Sequence, residues 1–285
     1  MKLRLSKPTR RQFITCAAFL FFGVFLLAYA VFIEPRQLVV QRQTIKLPHW
    51  SPALNHLKVA VITDLHVGCL SVPISKLRRV IVTTNEQKPD LIVMLGDFVA
   101  SHGRSSALKP EEFAHELSAL KAKYGVYAVL GNHDWWYNGE EVRNELQRAN
   151  IHVIENASVQ LKIDSASLWV AGLADQWTRT PSIPLAIKSV PVGSPCLMLM
   201  HEPDLLRDVP ESISLSLAGH THGGQVSLPI IGAPILPTDL GSKFARGLIV
   251  EGDKHYFVSS GVGTSVLPVR FGVPPEVCIL DLISQ

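Results

Sequence analysis

Five short apolar runs in this chain each stop at Asp, Asn or His. Residues 57–68, "LKVAVITDLHVG", run into Asp64 and His66. Residues 89–99, "PDLIVMLGDFV", run into Gly96 and Asp97, and residues 125–136, "GVYAVLGNHDWW", into Gly131, Asn132, His133 and Asp134. Two later runs end in His201-Glu202-Pro203 and in Gly219-His220-Thr221-His222. A brief apolar run closed by glycine and polar residues reads as a buried strand feeding a loop. Ligands of open α/β sheets collect beyond the carboxyl ends of the strands. The chain therefore has to fold so that five strand ends meet at one rim.

The segments between these runs set the layers. Residues 72–87 carry Ile74, Leu77, Val80 and Ile81 at helical spacing, and 110–123 carry Phe113, Leu117 and Leu120 on one face. Residues 140–149 predict a third helix. Beyond them come strand candidates at 159–163, 168–171, 196–200, 213–218, 248–250, 256–259 and 276–281, with few helices between. A βαβαβα first half and a strand-rich second half predict an α/β layered domain with mixed sheets and helices outside. With 47% hydrophobic and 18% charged residues, the 285-residue chain can bury a large core as one domain, or at most two. It has no repeat of fixed period and no low-complexity tract. Long loops at 178–184 and 228–237 are placed to border a site.

The first 34 residues read as an address. From Phe13 to Ile33 no residue is charged, and about 20 such residues span a bilayer. Lys2, Arg4, Lys7, Arg10 and Arg11 precede the run, which keeps the tail cytoplasmic and the rest of the chain outside. "TRRQFI" at 9–14 resembles a twin-arginine export signal, and "AYA" at 28–30 a signal-peptidase site. A cleaved signal and a retained anchor both fit. The run exceeds the usual signal core of about 7–15 residues, which favours the anchor. Residues 35–56 then form a junction, with "LVVQRQTIKL" as a possible first strand, and 57–285 the main domain. Without the five leading positive charges, 22 basic side chains face 24 acidic ones, so no basic face suits a nucleic-acid backbone. The four cysteines are scattered, with no C-x-x-C, and read as small buried hydrophobes; an exported domain leaves a disulfide open.

Imidazole nitrogen combined with carboxylate and amide oxygen suits manganese, iron or zinc. Asp-x-His and His-x-His each place two donors on one turn, and the flanking glycines let the backbone bend there. Asp64, His66, Asp97, Asn132, His201, His220 and His222 are too many donors for one tetrahedral ion, but enough for two ions sharing a carboxylate. Each has an ordinary explanation by itself: an Asp after a strand caps a turn, and a buried His is hydrogen-bonded in a core. Ordinary explanations do not account for all of them falling at successive strand ends.

The ordered set "DLH", "GDF", "GNHD", "MHEP" and "GHTHGGQ" resembles the calcineurin-like metallophosphoesterases over about residue 57 to the C-terminus. "GHTHGGQ" and residues 259–277, "SSGVGTSVLPVRFGVPPEV", look like the bacterial branch of membrane-associated or twin-arginine-exported phosphodiesterases. That branch is related to pyrophosphatases acting on UDP-2,3-diacylglucosamine, a lipid A precursor. The resemblance implies a four-layer α/β/β/α sandwich with two divalent ions. By motif, Asp64, His66 and His222 would hold one ion and Asn132, His201 and His220 the other, with Asp97 bridging. His133 would not bind metal; it would contact the phosphate or protonate the leaving oxygen. A two-metal centre of this kind supplies hydroxide for in-line attack on phosphorus. Many members place Asp or Asn three residues after the Asp of the second motif to orient this histidine. Here that position is Ala100, and Asp134 is the candidate substitute.

The implied activity is phosphodiester or pyrophosphate hydrolysis on a lipid-linked or cell-envelope substrate, at the bacterial inner membrane with the domain on the outer side. A nuclease or nucleotide phosphatase with the same centre is the alternative, and a non-catalytic scaffold a third reading. Arg270 is a candidate for a bidentate contact to a substrate phosphate. His102 and Arg104 are further candidates for reaching the substrate, and Trp135, Trp136 and Tyr137 for an apolar wall. No role is assigned to Asp175 or Trp177.

Overall fold

A computed structural model describes the backbone of residues 9–102, 105–106 and 108–285, and side chains outside 101–107. Lys2, Arg4 and Lys7, and the side chains of His102 and Arg104, thus lie outside the described residues. In chain order the elements are α1 (Arg10–Ala28), β1 (Val39–Leu47), β2 (Leu57–Ile62), α2 (Ile74–Glu86), β3 (Leu91–Leu95), β4 (Ser101–His102), β5 (Ser105–Ser106), α3 (Pro110–Leu117), β6 (Val126–Val129) and α4 (Asn132–Arg148). Then follow β7 (Ile151–Val153), β8 (Ala157–Ile163), β9 (Ala166–Gly172), α5 (Ile183–Ala186), β10 (Cys196–Leu199), β11 (Leu215–Ala218), β12 (Gly247–Glu251), β13 (Lys254–Val258) and β14 (Glu276–Ser284).

Two six-stranded sheets form, in the orders β1-β14-β2-β3-β6-β7 and β12-β13-β11-β10-β9-β8. In the first sheet β2, β3, β6 and β7 run parallel. In the second, β9, β10, β11 and β13 do. Strand alternation sends successive side chains to opposite faces. Val59 and Val61 of β2, and Leu91, Val93 and Leu95 of β3, therefore meet Val170, Leu197, Leu199, Leu215 and Leu217 in a core between the sheets. Ala60, Ile62, Ile92 and Met94 face the other way, onto Leu77 and Val80 of α2, Phe113 of α3 and Val142 of α4. The outer face of the second sheet, with Met198, Ala218 and Val258, is covered by Ala186 of the single-turn α5, by Leu206 and by Phe244. The mixed α/β sandwich is thus present, but its fourth layer is one helical turn, 3₁₀ turns and loops.

Two helix bounds differ from the sequence reading. The third helix begins at Asn132 rather than 140, because Asp134 at its third position accepts from the Gly131 amide and caps it. Its break falls at Asn138, where the backbone is extended. α3 ends at Leu117. The first strand expected in the junction forms over residues 39–47, at the sheet edge and paired in parallel with β14 over nine residues. All four cysteines are free, with Cys196 and Cys278 buried, Cys69 partly buried and Cys16 exposed.

Candidate active site

The carboxyl ends of β2, β3 and β6 from one sheet, and of β10 and β11 from the other, open onto the same seam. Nε2 of His66 lies 3.1 Å from Nε2 of His222 and 3.4 Å from Oδ2 of Asp97. The same Asp97 oxygen lies 3.2 Å from Nε2 of His201, which is 3.1 Å from Nδ1 of His220. Nε2 of His222 is 3.4 Å from Oδ1 of Asp64. Two ligands each about 2.0–2.2 Å from one ion stand about 3.0–3.5 Å apart at ordinary coordination angles. The donors fit that spacing in two groups, Asp64-His66-His222 and Asp97-His201-His220. A third group, His66-Asp97-His133, overlaps them, so His133 also stands within reach of a cation. Oδ1 of Asn132 is buried without a hydrogen-bond partner, as an acceptor reserved for something else would be.

Supporting contacts aim the rings. Nδ1 of His201 is 2.6 Å from the Leu95 carbonyl and Nδ1 of His66 is 3.3 Å from that of Val99. A proton on each Nδ1 satisfies those carbonyls and leaves the Nε2 lone pair facing the seam. The Thr63 hydroxyl donates to Oδ2 of Asp64 (2.9 Å), and the His220 amide reaches both oxygens of that carboxylate. The His133 amide donates to Oδ1 of Asp97.

Charge follows from burial and neighbours. Burial pushes His66 down to about 3, against the pull of Asp97. It does the same to His220, with His201 adding to the fall. His222 is held well below the usual range by burial first, with His66 and Arg270 beside it adding to the fall. These three rings are neutral, as metal ligands must be. Burial acts to raise Asp97, but His201, His133 and His66 around it keep it well below the carboxylate range. Burial raises Asp64 to about 6, with Asp97 contributing. Two carboxylates and a crowd of imidazoles in one dry seam create a need for a cation.

Left-handed backbone is shared by most of the donor residues. Asp64, His66, Asp97, His220 and His222 all have left-handed φ, between 44° and 68°. The flanking Gly68, Gly96, Gly223 and Gly224 bend as the sequence reading expected, with φ of 99°, 90°, 59° and 78°, and the ligand residues bend beside them. Gly131 and Gly219 serve close approach instead. A Cβ on Gly131 would strike Oδ1 of Asp97, and one on Gly219 would strike the Thr63 hydroxyl and Asp64. Strain of this kind persists only where the surroundings over-determine it, as at functional sites.

A family model described as calcineurin-like phosphoesterase matches residues 57–224. The chain belongs to the calcineurin-like phosphoesterase family. Members are metal-dependent hydrolases of phosphoric esters, and the His/Asp groups above are where this chain can hold metal. It is 31% identical to the uncharacterized metallophosphoesterase YkuE of Bacillus subtilis (strain 168), over 90% of this chain and 89% of that protein. It is also 31% identical to phosphodiesterase YaeI of Escherichia coli (strain K12), over 83% of this chain and 90% of that protein. An uncharacterized metallophosphoesterase of Aquifex aeolicus (strain VF5) is 29% identical over 92% of this chain and 98% of its own length.

In this calcineurin-like phosphoesterase the other candidates separate. Arg270 is fully buried beside His222. Its guanidinium donates to the carbonyls of Gly263, Val273, Ser260 and Gly261, and stands 3.4 Å from Nδ1 of His222. It braces the loop behind His222. Asp134 does not orient the His133 ring. It accepts from the amides of Asp97, Phe98, Val99 and Gly131, and so fixes the turn after β3. Nε2 of His133 lies 3.3 Å from the Ser265 hydroxyl, and its ring packs edge-on to His66 and Trp136. Trp177 packs edge-on to His220 and 6.1 Å from Trp136. Ser265, Thr63 and Trp177 were not legible as site residues: they are ordinary residue types, Ser265 and Trp177 brought in by loops distant in sequence and Thr63 standing next to Asp64. Asp175 anchors the Trp177 loop through the Thr178 amide, and Glu202 through that of Gln176.

Proposed function

We propose that this chain is a phosphodiesterase or pyrophosphatase that uses two divalent ions, manganese, iron or zinc, on a lipid-linked or cell-envelope substrate of the UDP-2,3-diacylglucosamine type. The observation that carries the two-ion reading is Oδ2 of Asp97, which lies 3.4 Å from His66 of one donor group and 3.2 Å from His201 of the other. Asp64, His66 and His222 would hold the first ion, and Asn132, His201 and His220 the second, with Asp97 shared. When bound, such ions polarise phosphoryl oxygens and lower the pKa of water. The chain's own part is to aim these groups: the Leu95 and Val99 carbonyls orient the His201 and His66 rings, and Thr63 donates to the Asp64 carboxylate. His133, beside the seam and in contact with Ser265, is positioned to bind a phosphoryl oxygen and give a proton to the leaving oxygen.

The test is a panel of lipid pyrophosphates, simple diesters and monoesters assayed with manganese. Asp97→Asn or His220→Ala is expected to abolish hydrolysis of an aryl phosphodiester and to empty the purified protein of metal. Full activity in either variant overturns the proposal.

We read α1 as a retained anchor of the bacterial inner membrane, with residues 57–285 as the hydrolase domain on the outer side. Residues 10–36 are long and apolar enough to cross a membrane, and their apolar window is not buried. Ala30 of the "AYA" stretch is itself buried, and its carbonyl accepts from the Arg270 amide, which favours retention over cleavage. A reporter fused to the C-terminus and found in the cytoplasm overturns the placement.

A nucleotide substrate is the second reading. Its support is a cleft of about 580 Å³ lined by Trp135, Trp177, Arg143 and Arg179, suited to a base and an anionic group. Nucleotide turnover outpacing that of lipid diesters in the same panel would favour it.

A further inference from the structure

Beyond α1, the described surface carries a second apolar feature that the catalytic reading does not use. After the His220–His222 turn, Leu228 and Gly232 pair in a tight hairpin whose tip is Pro229, Ile230 and Ile231. Ile230 is wholly exposed and Ile231 and Ile235 largely so. Val266 and Leu267, from a separate loop, are also exposed. Ile230 and Val266 have left-handed φ of 71° and 61°, a conformation that β-branched residues rarely adopt. Isolated exposed apolar residues need no explanation, but a cluster does.

Hydrogen bonds tie these loops together and to the base of α1. The Gln225 side chain accepts from the Ser265 amide (2.6 Å) and donates to the Leu267 carbonyl (3.3 Å). The Phe271 amide donates to the Gln225 carbonyl and the Ser227 amide to the Phe271 carbonyl. The Phe271 ring stands edge-on to Tyr29, and the next residue back, Arg270, donates its amide to Ala30. Glu34 and Lys76 complete the seat: Glu34 accepts from the Val273 amide, and Lys76 donates to the Pro35 and Val262 carbonyls. The apolar loops therefore spring from the same hydrogen-bonded seat as the membrane-crossing candidate.

The loops also border the catalytic seam. A Cβ on Gly224, two residues after His222, would meet Ala233, the Ile235 carbonyl and Leu236. Ser265, which touches His133, immediately precedes Val266.

We propose that Leu228, Ile230, Ile231, Ile235, Val266 and Leu267 form a membrane-docking surface that inserts into the lipid bilayer beside α1 and holds the active-site mouth at the bilayer surface. This rests on the membrane reading of α1 given above. A bilayer fits better than a protein partner because the apolar helix leaves the domain at this patch. Side chains of this size entering the acyl boundary match the way interfacial segments bind. A substrate phosphate in the headgroup layer then reaches the seam without its lipid tails leaving the membrane.

The experiment places an environment-sensitive fluorophore at single cysteines in the full chain, in a Cys16→Ser, Cys69→Ser background. The protein is reconstituted in phosphatidylcholine–phosphatidylglycerol vesicles. Probes go at Ile231→Cys and Val266→Cys, at Phe21→Cys within α1, and at Val192→Cys. Val192 is fully exposed just before β10, at the opposite end of the strands from the seam. Expected is quenching of positions 21, 231 and 266 by spin-labelled lipid, with several-fold weaker iodide quenching there than at 192. If 21 is quenched by lipid while 231 and 266 behave like 192, docking is overturned and the anchor stands. If 21 is also open to iodide, the anchor and the docking both fall. None of these readouts depends on hydrolysis, so a failed metal-centre assignment is told apart.

Discussion

Arg270 shows how a single side chain can look like a substrate ligand and serve another end. Its charge is buried, and its N–H groups are taken by backbone carbonyls of the 260–263 loop and of Val273. Removing it leaves those carbonyls without donors, at about 1–3 kcal/mol for each buried group left unsatisfied. Arg270→Ala is therefore expected to lose about 3 kcal/mol or more of stability in urea unfolding. Arg270→Lys should recover only part of this, because an ammonium lacks the planar fork. A raised KM with unchanged stability would instead restore the substrate-binding role. The gathering of Asp64, His66, Asp97, His201, His220 and His222 was legible because metal chemistry restricts residue type and strands ended on them. The role of Arg270 was not, since a buried arginine and a phosphate-binding one look alike in sequence. Nor was the left-handed backbone at the donors themselves, because that conformation is imposed by the packing of two sheets around them.

Elements were legible where apolar periodicity is strong. β2, β3, β6, β10 and β11 are nearly uniform apolar runs buried on both faces. β1 was legible from its β-prone residues, although only Ile45 and Leu47 of its nine residues are buried. β7 is three residues long, too short for any periodicity. The edge position of β1 makes a prediction. A chain starting at Val31 keeps β1, Glu34 and the Lys76 contact, and is expected to be folded and monomeric in detergent-free buffer. A chain starting at Trp50 loses β1, uncovers β14 as a nine-residue unpaired edge and exposes core that Ile45 and Leu47 cover. It should aggregate or melt well below the longer chain. Size-exclusion chromatography and thermal unfolding of the pair decide this, and equal behaviour would make residues 39–47 a dispensable linker.

At the scale of the whole molecule, the candidate centre is shared between the sheets. Asp64, His66, Asp97 and Asn132 follow strands of the first sheet, and His201, His220 and His222 follow strands of the second. Two of the three donor groups draw on both sheets, since His222 joins Asp64 and His66, while Asp97 joins His201 and His220. Ions bound there would stitch the halves together and relieve a buried set of carboxylates and rings. Binding to the folded state alone stabilises by about 2.7 kcal/mol at a free metal concentration 100 times Kd. At about 2–4 °C per kcal/mol for a domain of this order, manganese should raise the Tm of chelator-treated protein by about 5–10 °C. Asp97→Asn removes the carboxylate shared by both groups and should abolish most of that rise. His133→Ala, which spares all seven proposed ligands, should keep it while losing hydrolysis. A rise that survives Asp97→Asn unchanged would mean that metal stabilises the fold elsewhere, and that the seam is not where the two sheets are joined.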